Sequence, residues 1–235
     1  GLKLVEAADY TVEVVAQSAK NSQTGPLASL IKYSFPARGD MGPVVNRVTG
    51  WSWESPTPQG NNLRGLWATP GATGVDDLFL VGESGTLLTR SRGAFARESG
   101  EGTSSEAILA VAGSGSGAQR LVMAVGAYDF VATRSGDDPQ WQLALGPAGD
   151  GTGTLTAAWA STLSAEYYVV GTSGRVFHVR GGSWAREAQG LTAQYLGGVW
   201  GTGTGASQEV YAVGAGGVVL HRSGGTWTTE AAGLS

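Results

Sequence analysis

Apolar residues in this chain cluster in runs of four, too short for helices and each closed by glycine. Leu78 to Val81, Val122 to Val125, Tyr167 to Val170 and Val210 to Val213 are such runs. Their β-branched and aromatic content predicts strands. The closing glycines, Gly82, Gly126, Gly171 and Gly214 with a fainter counterpart at Gly39, are spaced 43 to 45 residues apart. Three residues further on a second glycine stands at Gly42, Gly85, Gly174 and Gly217, with Asp129 as the substitute. The spacing predicts a tight turn, repeated five times, with glycine supplying its positive-φ positions.

Beyond the turn, two adjacent positions are apolar in every copy: Val44-Val45, Leu87-Leu88, Val131-Ala132, Val176-Phe177 and Val219-Leu220. Adjacent strand residues point to opposite faces, so this strand is covered on both sides. Upstream, Leu63 to Thr69, Ile108 to Ser114, Leu155 to Ser161 and Leu196 to Thr202 align with small residues third and sixth and a hydroxyl last. Small residues at fixed strand positions predict close approach of another backbone, as at a crowded axis. Trp67, Trp159 and Trp200 share the fifth place of that column, and each is expected to be a buried anchor needed for folding. A fourth strand is expected around Trp53, Phe95, Trp141, Trp184 and Trp227.

Four strands and about 44 residues per unit, with sheets covered on both faces, predict an all-β chain, a five-bladed β-propeller of four-stranded antiparallel blades. The alternatives are an open β-repeat array or part of a larger propeller. The expected organisation is a single domain over residues 1–235, with approximate blades at 1–57, 58–100, 101–146, 147–190 and 191–235. Interblade crossings are expected at 57–60, 101–106, 146–153 and 188–194. In the first unit the inner strand is either Tyr10 to Ala16, followed by a long loop, or Thr24 to Ser29.

Composition agrees with this picture and narrows the function. Glycine accounts for 39 of 235 residues and charged residues for 14%, which suits many short strands and tight turns. Net charge is −4, so no basic field exists for phosphates and nucleic acid is not expected as a partner. No apolar run is long enough for a membrane span. With no cysteine, disulfides, thiolate metal sites and cysteine nucleophiles are excluded. The opening at Gly1 without methionine is expected of a processed or trimmed chain, and no secretory signal is visible.

The stretches VWGTG, VYAVG and LHRSGGTW between Leu196 and Trp227, echoed from Leu155 to Trp184, resemble the tandem W-G…YAVG…G-x-W repeats of bacterial secreted and surface β-propellers. Those are in turn similar to Asp-box (BNR) and photosystem II assembly-factor propellers. The resemblance spans about 170 residues, Asn62 to Glu230. It implies a propeller fold and an extracellular, periplasmic or cell-surface location. The Asp box is degenerate here, since Ser223-Gly224-Gly225-Thr226-Trp227 keeps Gly-Thr-Trp without the Asp; this departure weakens a sialidase reading.

A site for one ligand should break the repeat's symmetry, because one ligand cannot meet every blade alike. Departures concentrate in the turn after the second strand: Asp40-Met41, Glu83-Ser84 and Ala127-Tyr128-Asp129 stand against Thr172-Ser173 and Ala215-Gly216. Asp40, Glu83, Tyr128 and Asp129 are therefore the candidate ligand-binding residues. An aromatic beside carboxylates suits a protein partner or a glycan at the channel-entrance face. His178 and His221 share a repeat column and read as polar strand-end groups bonding the next turn. The arginines after that column, Arg47, Arg90, Arg134 and Arg222, are expected to decorate a rim and pair with acids such as Glu54, Glu98 and Glu230. Asp76-Asp77 and Asp137-Asp138 lack the alternating spacing of a calcium loop and read as solvated turn carboxylates.

No catalytic set, metal site or cofactor is expected. The leading functional reading is a non-catalytic binding or scaffold module of an extracellular, periplasmic or cell-surface assembly. The alternatives are a lectin-like carbohydrate-binding propeller and a glycoside hydrolase or sialidase-like enzyme. The enzyme would need two carboxylates about 5–10 Å apart at the channel mouth.

Overall fold

A computed structural model of the chain describes residues 61–71, 77–91, 94–97, 105–136, 138, 140–144, 146–147, 153–162 and 165–230, with the strands at 9–14, 31–36, 44–45 and 52–53. They belong to two units, 1–58 and 59–235. In the first unit β1 (Asp9–Val14) pairs antiparallel with β2 (Ile31–Pro36), and β3 (Val44–Val45) with β4 (Ser52–Trp53). Strand β1 overlaps residues 10–16, one of the two candidate stretches for the inner strand of that unit. Residues 24–29, the second choice, lie outside the described residues.

The second unit is a succession of four-stranded antiparallel sheets with strands in plain sequence order. The first comprises β5 (Leu63–Thr69), β6 (Asp77–Gly82), β7 (Thr86–Ser91) and β8 (Ala94–Arg97). The second comprises β9 (Ile108–Ser114), β10 (Leu121–Gly126), β11 (Val131–Ser135) and β12 (Gln142–Leu143). The third comprises β13 (Leu155–Ala160), β14 (Glu166–Gly171), β15 (Val176–Arg180) and β16 (Ser183–Glu187). The fourth comprises β17 (Leu196–Thr202), β18 (Glu209–Gly214), β19 (Val219–Ser223) and β20 (Thr226–Glu230).

Consecutive sheets pack face to face, and an apolar cluster lies in each gap. Phe79, Val81 and Leu87 meet Ile108, Val122 and Trp141 in the first gap. Met123, Val125 and Val131 meet Leu155, Tyr167 and Phe177 in the second, and Tyr168, Val170 and Val176 meet Leu196, Val210 and Leu220 in the third. The first strands of neighbouring sheets also touch, β5 with β9, β9 with β13 and β13 with β17. Sheets stacked this way with their first strands adjacent are propeller blades.

Two physical causes underlie the repeated glycines. The first glycine of each pair is needed for space: a Cβ on Gly82, Gly126, Gly171 or Gly214 would lie 2.1–2.3 Å from the carbonyl oxygen just before the first strand of its own sheet. The second is needed for backbone conformation. Ser84-Gly85, Ser173-Gly174 and Gly216-Gly217 all have φ between 52° and 72°, the left-handed pair of a type I′ turn.

The tryptophan column needs a correction. Trp67 covers Gly113 and Trp159 covers Gly201, each Trp ring lying where a Cβ on the next sheet's glycine would fall, within 2.9 Å. Small sixth positions thus make room for a neighbouring indole, whereas the third position does meet backbone, a Cβ on Gly65 falling 3.2 Å from Ala110 Cα. Trp200, expected to be a buried anchor, is 59% exposed.

Candidate functional site

The turns after the second strands form one rim of the second unit, together with the segments leading into each first strand. Their bonding is repetitive. Within a sheet, Glu83, Ala127, Thr172 and Ala215 donate their amides to the carbonyls of Asn62, Ala107, Thr154 and Tyr195 at 2.8–3.0 Å. Between sheets, Gly85 donates to Glu106, Asp129 to Gly153 and Gly174 to Gln194 at 2.7–3.0 Å. Two amides in each of the first three turns are therefore engaged, one within its own sheet and one to the next.

Of the four residues singled out in the sequence, the structure gives three distinct surroundings. Tyr128 is 64% exposed on a left-handed backbone, with φ 54°. Glu83 is paired with Arg64 and accepts from Asn62 Nδ2 at 2.9 Å; these bonds hold its carboxyl below the ordinary range. Asp129 sits at φ 55°, where the other turns place glycine, and Asp tolerates that conformation. Its carboxylate is buried and meets Arg175 of the next sheet at 2.7 Å. The loss of the second glycine thus serves a fastening between sheets. Asp40 lies outside the described residues. Sequence reasoning missed Tyr195, 51% exposed on the same rim; it directly follows the expected crossing at 188–194, and no repeat column marks it.

The polar columns of the repeat turn inward. Tyr168 stacks on His178 with ring centroids 4.3 Å apart. His178 sits between Glu166, 2.9 Å from Nε2, and Glu187, 3.1 Å from Nδ1. Its partners are carboxylates on neighbouring strands, and not the next turn as expected. From the following sheet, Gln208 Nε2 donates to Glu166 at 3.1 Å, while Arg222 Nε and Trp227 Nε1 both donate to Glu187 Oε2, at 3.0 and 2.7 Å. Burial opposes ionisation of Glu166, yet hydrogen bonds from Arg180, His178, Ser161 and Gln208 outweigh it and hold the carboxyl down at about 2. Glu187 is likewise held at about 2 against its burial, by His178, Trp227 and Arg222.

The same pattern, with other residues, joins the first two sheets. Arg120 Nη1 donates to Asp77 at 2.7 Å and Arg134 Nη1 to Thr89 at 2.9 Å. Both guanidinium groups lie over the Phe79 ring, at 4.9 and 5.3 Å, as Arg222 lies 5.4 Å over Tyr168. Arg134 and Arg222 are thus buried cross-sheet fasteners instead of rim decoration, and Arg222 meets Glu187, not Glu230. Asp77, expected as a solvated turn carboxylate, is part of a buried ion pair. Glu54 and Glu98 lie outside the described residues.

Among the described residues, no group of three or more His, Cys, Asp or Glu is placed to hold a metal, and no helix is long and apolar enough to cross a membrane.

No protein-family model matches the chain, and no curated protein matches it in sequence. Solved structures do resemble it. YCF48 from Cyanidioschyzon merolae aligns with a TM-score of 0.50 at 17% identity, over 74% of this chain and 57% of that one. A structure of YCF48 bound to a D1 peptide aligns with a TM-score of 0.51 at 15% identity, over 73% of this chain and 56% of that one. The chain spans less than three-fifths of the length of either. Together with the stacked antiparallel sheets, these likenesses give the fold: an all-β chain built of four-stranded β-propeller blades.

Proposed function

We propose that this chain is a non-catalytic propeller module that binds a protein partner on its turn rim, within an extracellular, periplasmic or cell-surface assembly. The observation that carries the reading is a division of labour. The Glu, His, Arg and Asp side chains of the repeat columns are engaged between or within sheets, while Tyr128 and Tyr195 stand exposed on the rim. Exposed tyrosines offer contact area with a hydrogen-bonding end, and they lose little conformational freedom on binding. The peptide-bound YCF48 structure supports the choice of a peptide segment as the ligand class.

Exposed tyrosines also suit the stacking of a sugar ring, so a glycan is the second reading. A hydrolase is the weaker one. Of the candidate rim carboxylates, Asp129 is buried against Arg175 and Glu83 is paired with Arg64 and Asn62.

The test is a peptide array beside a glycan array and a hydrolase substrate panel, with the wild-type chain and the Tyr128→Ala variant. Peptide binding that Tyr128→Ala weakens at unchanged melting temperature is the expected result. Glycan binding alone, turnover of a substrate, or peptide binding indifferent to both Tyr128→Ala and Tyr195→Ala would overturn the reading.

A further inference from the structure

Six pairs of adjacent residues, among those described, lie in the left-handed backbone region, and five of them end on glycine: Ser84-Gly85, Ser173-Gly174, Gly181-Gly182, Gly216-Gly217 and Gly224-Gly225. The sixth, Tyr128-Asp129, has no glycine and sits at φ 54° and 55°. Its side chains disfavour that conformation, so the surroundings must impose it.

Backbone bonding does not set this turn apart. The amides of Ala127 and Asp129 donate to Ala107 and Gly153, and glycine-bearing turns make the same two bonds through Glu83 and Gly85 and through Thr172 and Gly174. What differs is carried by three residues that each depart from the repeat. Asp129 replaces the second glycine. Arg175 stands four residues after the closing glycine of its sheet, where the other described sheets of this unit have Thr86, Phe130 and Val218. Gly153 stands two residues before its first strand, where they have Asn61, Glu106 and Gln194.

The fold brings the three departures to one point. Asp129 Oδ1 lies 2.7 Å from Arg175 Nη1, with the two side chains only 7% and 13% exposed. A Cβ on Gly153 would fall 1.7–2.1 Å from the guanidinium, so any larger residue there would displace Arg175. The Gly153 carbonyl also takes the Asp129 amide, at 3.0 Å. Asp129 is thus tied by side chain and backbone to the third sheet, whereas the tyrosine before it projects into solvent. Neither charged group is open to a partner itself.

We infer that Arg175 is a positioning residue for Tyr128: by holding Asp129 across the gap between sheets, it imposes the left-handed turn from which the tyrosine projects. Recognition at this part of the rim is therefore built jointly by the second and third sheets. The inference takes from the rim reading that Tyr128 meets a peptide; how the turn is held stands apart from that reading.

The test follows turn geometry and affinity separately in the isotope-labelled full chain, at a temperature where every variant is folded. A left-handed residue brings its own amide and Hα protons close together, so Tyr128 and Asp129 should each give a strong intraresidue amide-to-Hα cross-peak in the wild type. Arg175→Met should weaken both cross-peaks and lower the affinity for an array-selected peptide by about tenfold or more, as loss of a central contact does. Gly153→Ala, which displaces the guanidinium and leaves both charges in the chain, should repeat that loss. Asp129→Gly added to Arg175→Met should restore the Tyr128 cross-peak and most of the affinity, because glycine adopts the turn without the ion pair. Unchanged cross-peaks in Arg175→Met would overturn the inference and leave the pair a fastener alone. So would affinity that stays lost in the double variant once the turn is restored, since Arg175 would then touch the peptide directly. The cross-peaks need no ligand, so they decide whether Arg175 holds the turn even where Tyr128→Ala shows the rim reading to be wrong.

Discussion

Glu187 and Glu230 occupy the same place in successive repeats, yet their surroundings make them unequal. Glu187 accepts from His178, Arg222 and Trp227, whereas Glu230 has His221 and open solvent. Glu187→Gln leaves an arginine and an indole with a neutral, half-mismatched partner. Breaking a buried charged pair of this kind should cost about 3 kcal/mol, and an exposed one such as Glu230→Gln under about 1 kcal/mol. Urea unfolding of the two variants checks the contrast. The same carboxylates set the acid limit. Glu166 and Glu187 are held at about 2 against an ordinary 4.5, so the unfolded chain takes up their protons first as pH falls. Their contribution is complete above about pH 4.5 and is lost progressively towards pH 2. Unfolding midpoints measured across that window should fall in the wild type and fall less steeply in Glu187→Gln.

Single elements show how much of the fold was readable in the sequence and where reading failed. Strand identity and order followed from the four-residue apolar runs and the paired apolar positions, because a two-face-covered strand needs both. The cause of the first glycine column was not readable. It answers to a carbonyl some twenty residues earlier in the chain, and Gly171→Ala should therefore destabilise by about 1–3 kcal/mol through overpacking at Thr154. The tryptophan column was legible as a column only. Trp159→Ala should cost about 3 kcal/mol, since its ring fills the space over Gly201. Trp200→Ala should leave the melting temperature nearly unchanged, because that ring is mostly in solvent. Equal losses for the two, in parallel thermal melts, would contradict the assigned packing.

Across the whole chain, the repeat spends its polar chemistry on joining blades, and this decides which sequence signals point to function. Symmetry breaking marked Tyr128 and Asp129 together, but sequence could not separate them, because the partner that claims Asp129 is Arg175 on the next sheet. Charge and repeat phase were legible; which side chain crosses to which neighbour was not. The central claim is that recognition belongs to the exposed rim tyrosine while the buried columns belong to stability. Its most direct test is the affinity of an array-selected peptide for the wild-type, Tyr128→Ala and Glu187→Gln proteins at a temperature where all three are folded. Tyr128→Ala should lose at least tenfold in affinity with its melting temperature intact, and Glu187→Gln should keep the affinity while melting earlier. Full affinity in Tyr128→Ala, or lost affinity in folded Glu187→Gln, would contradict the account.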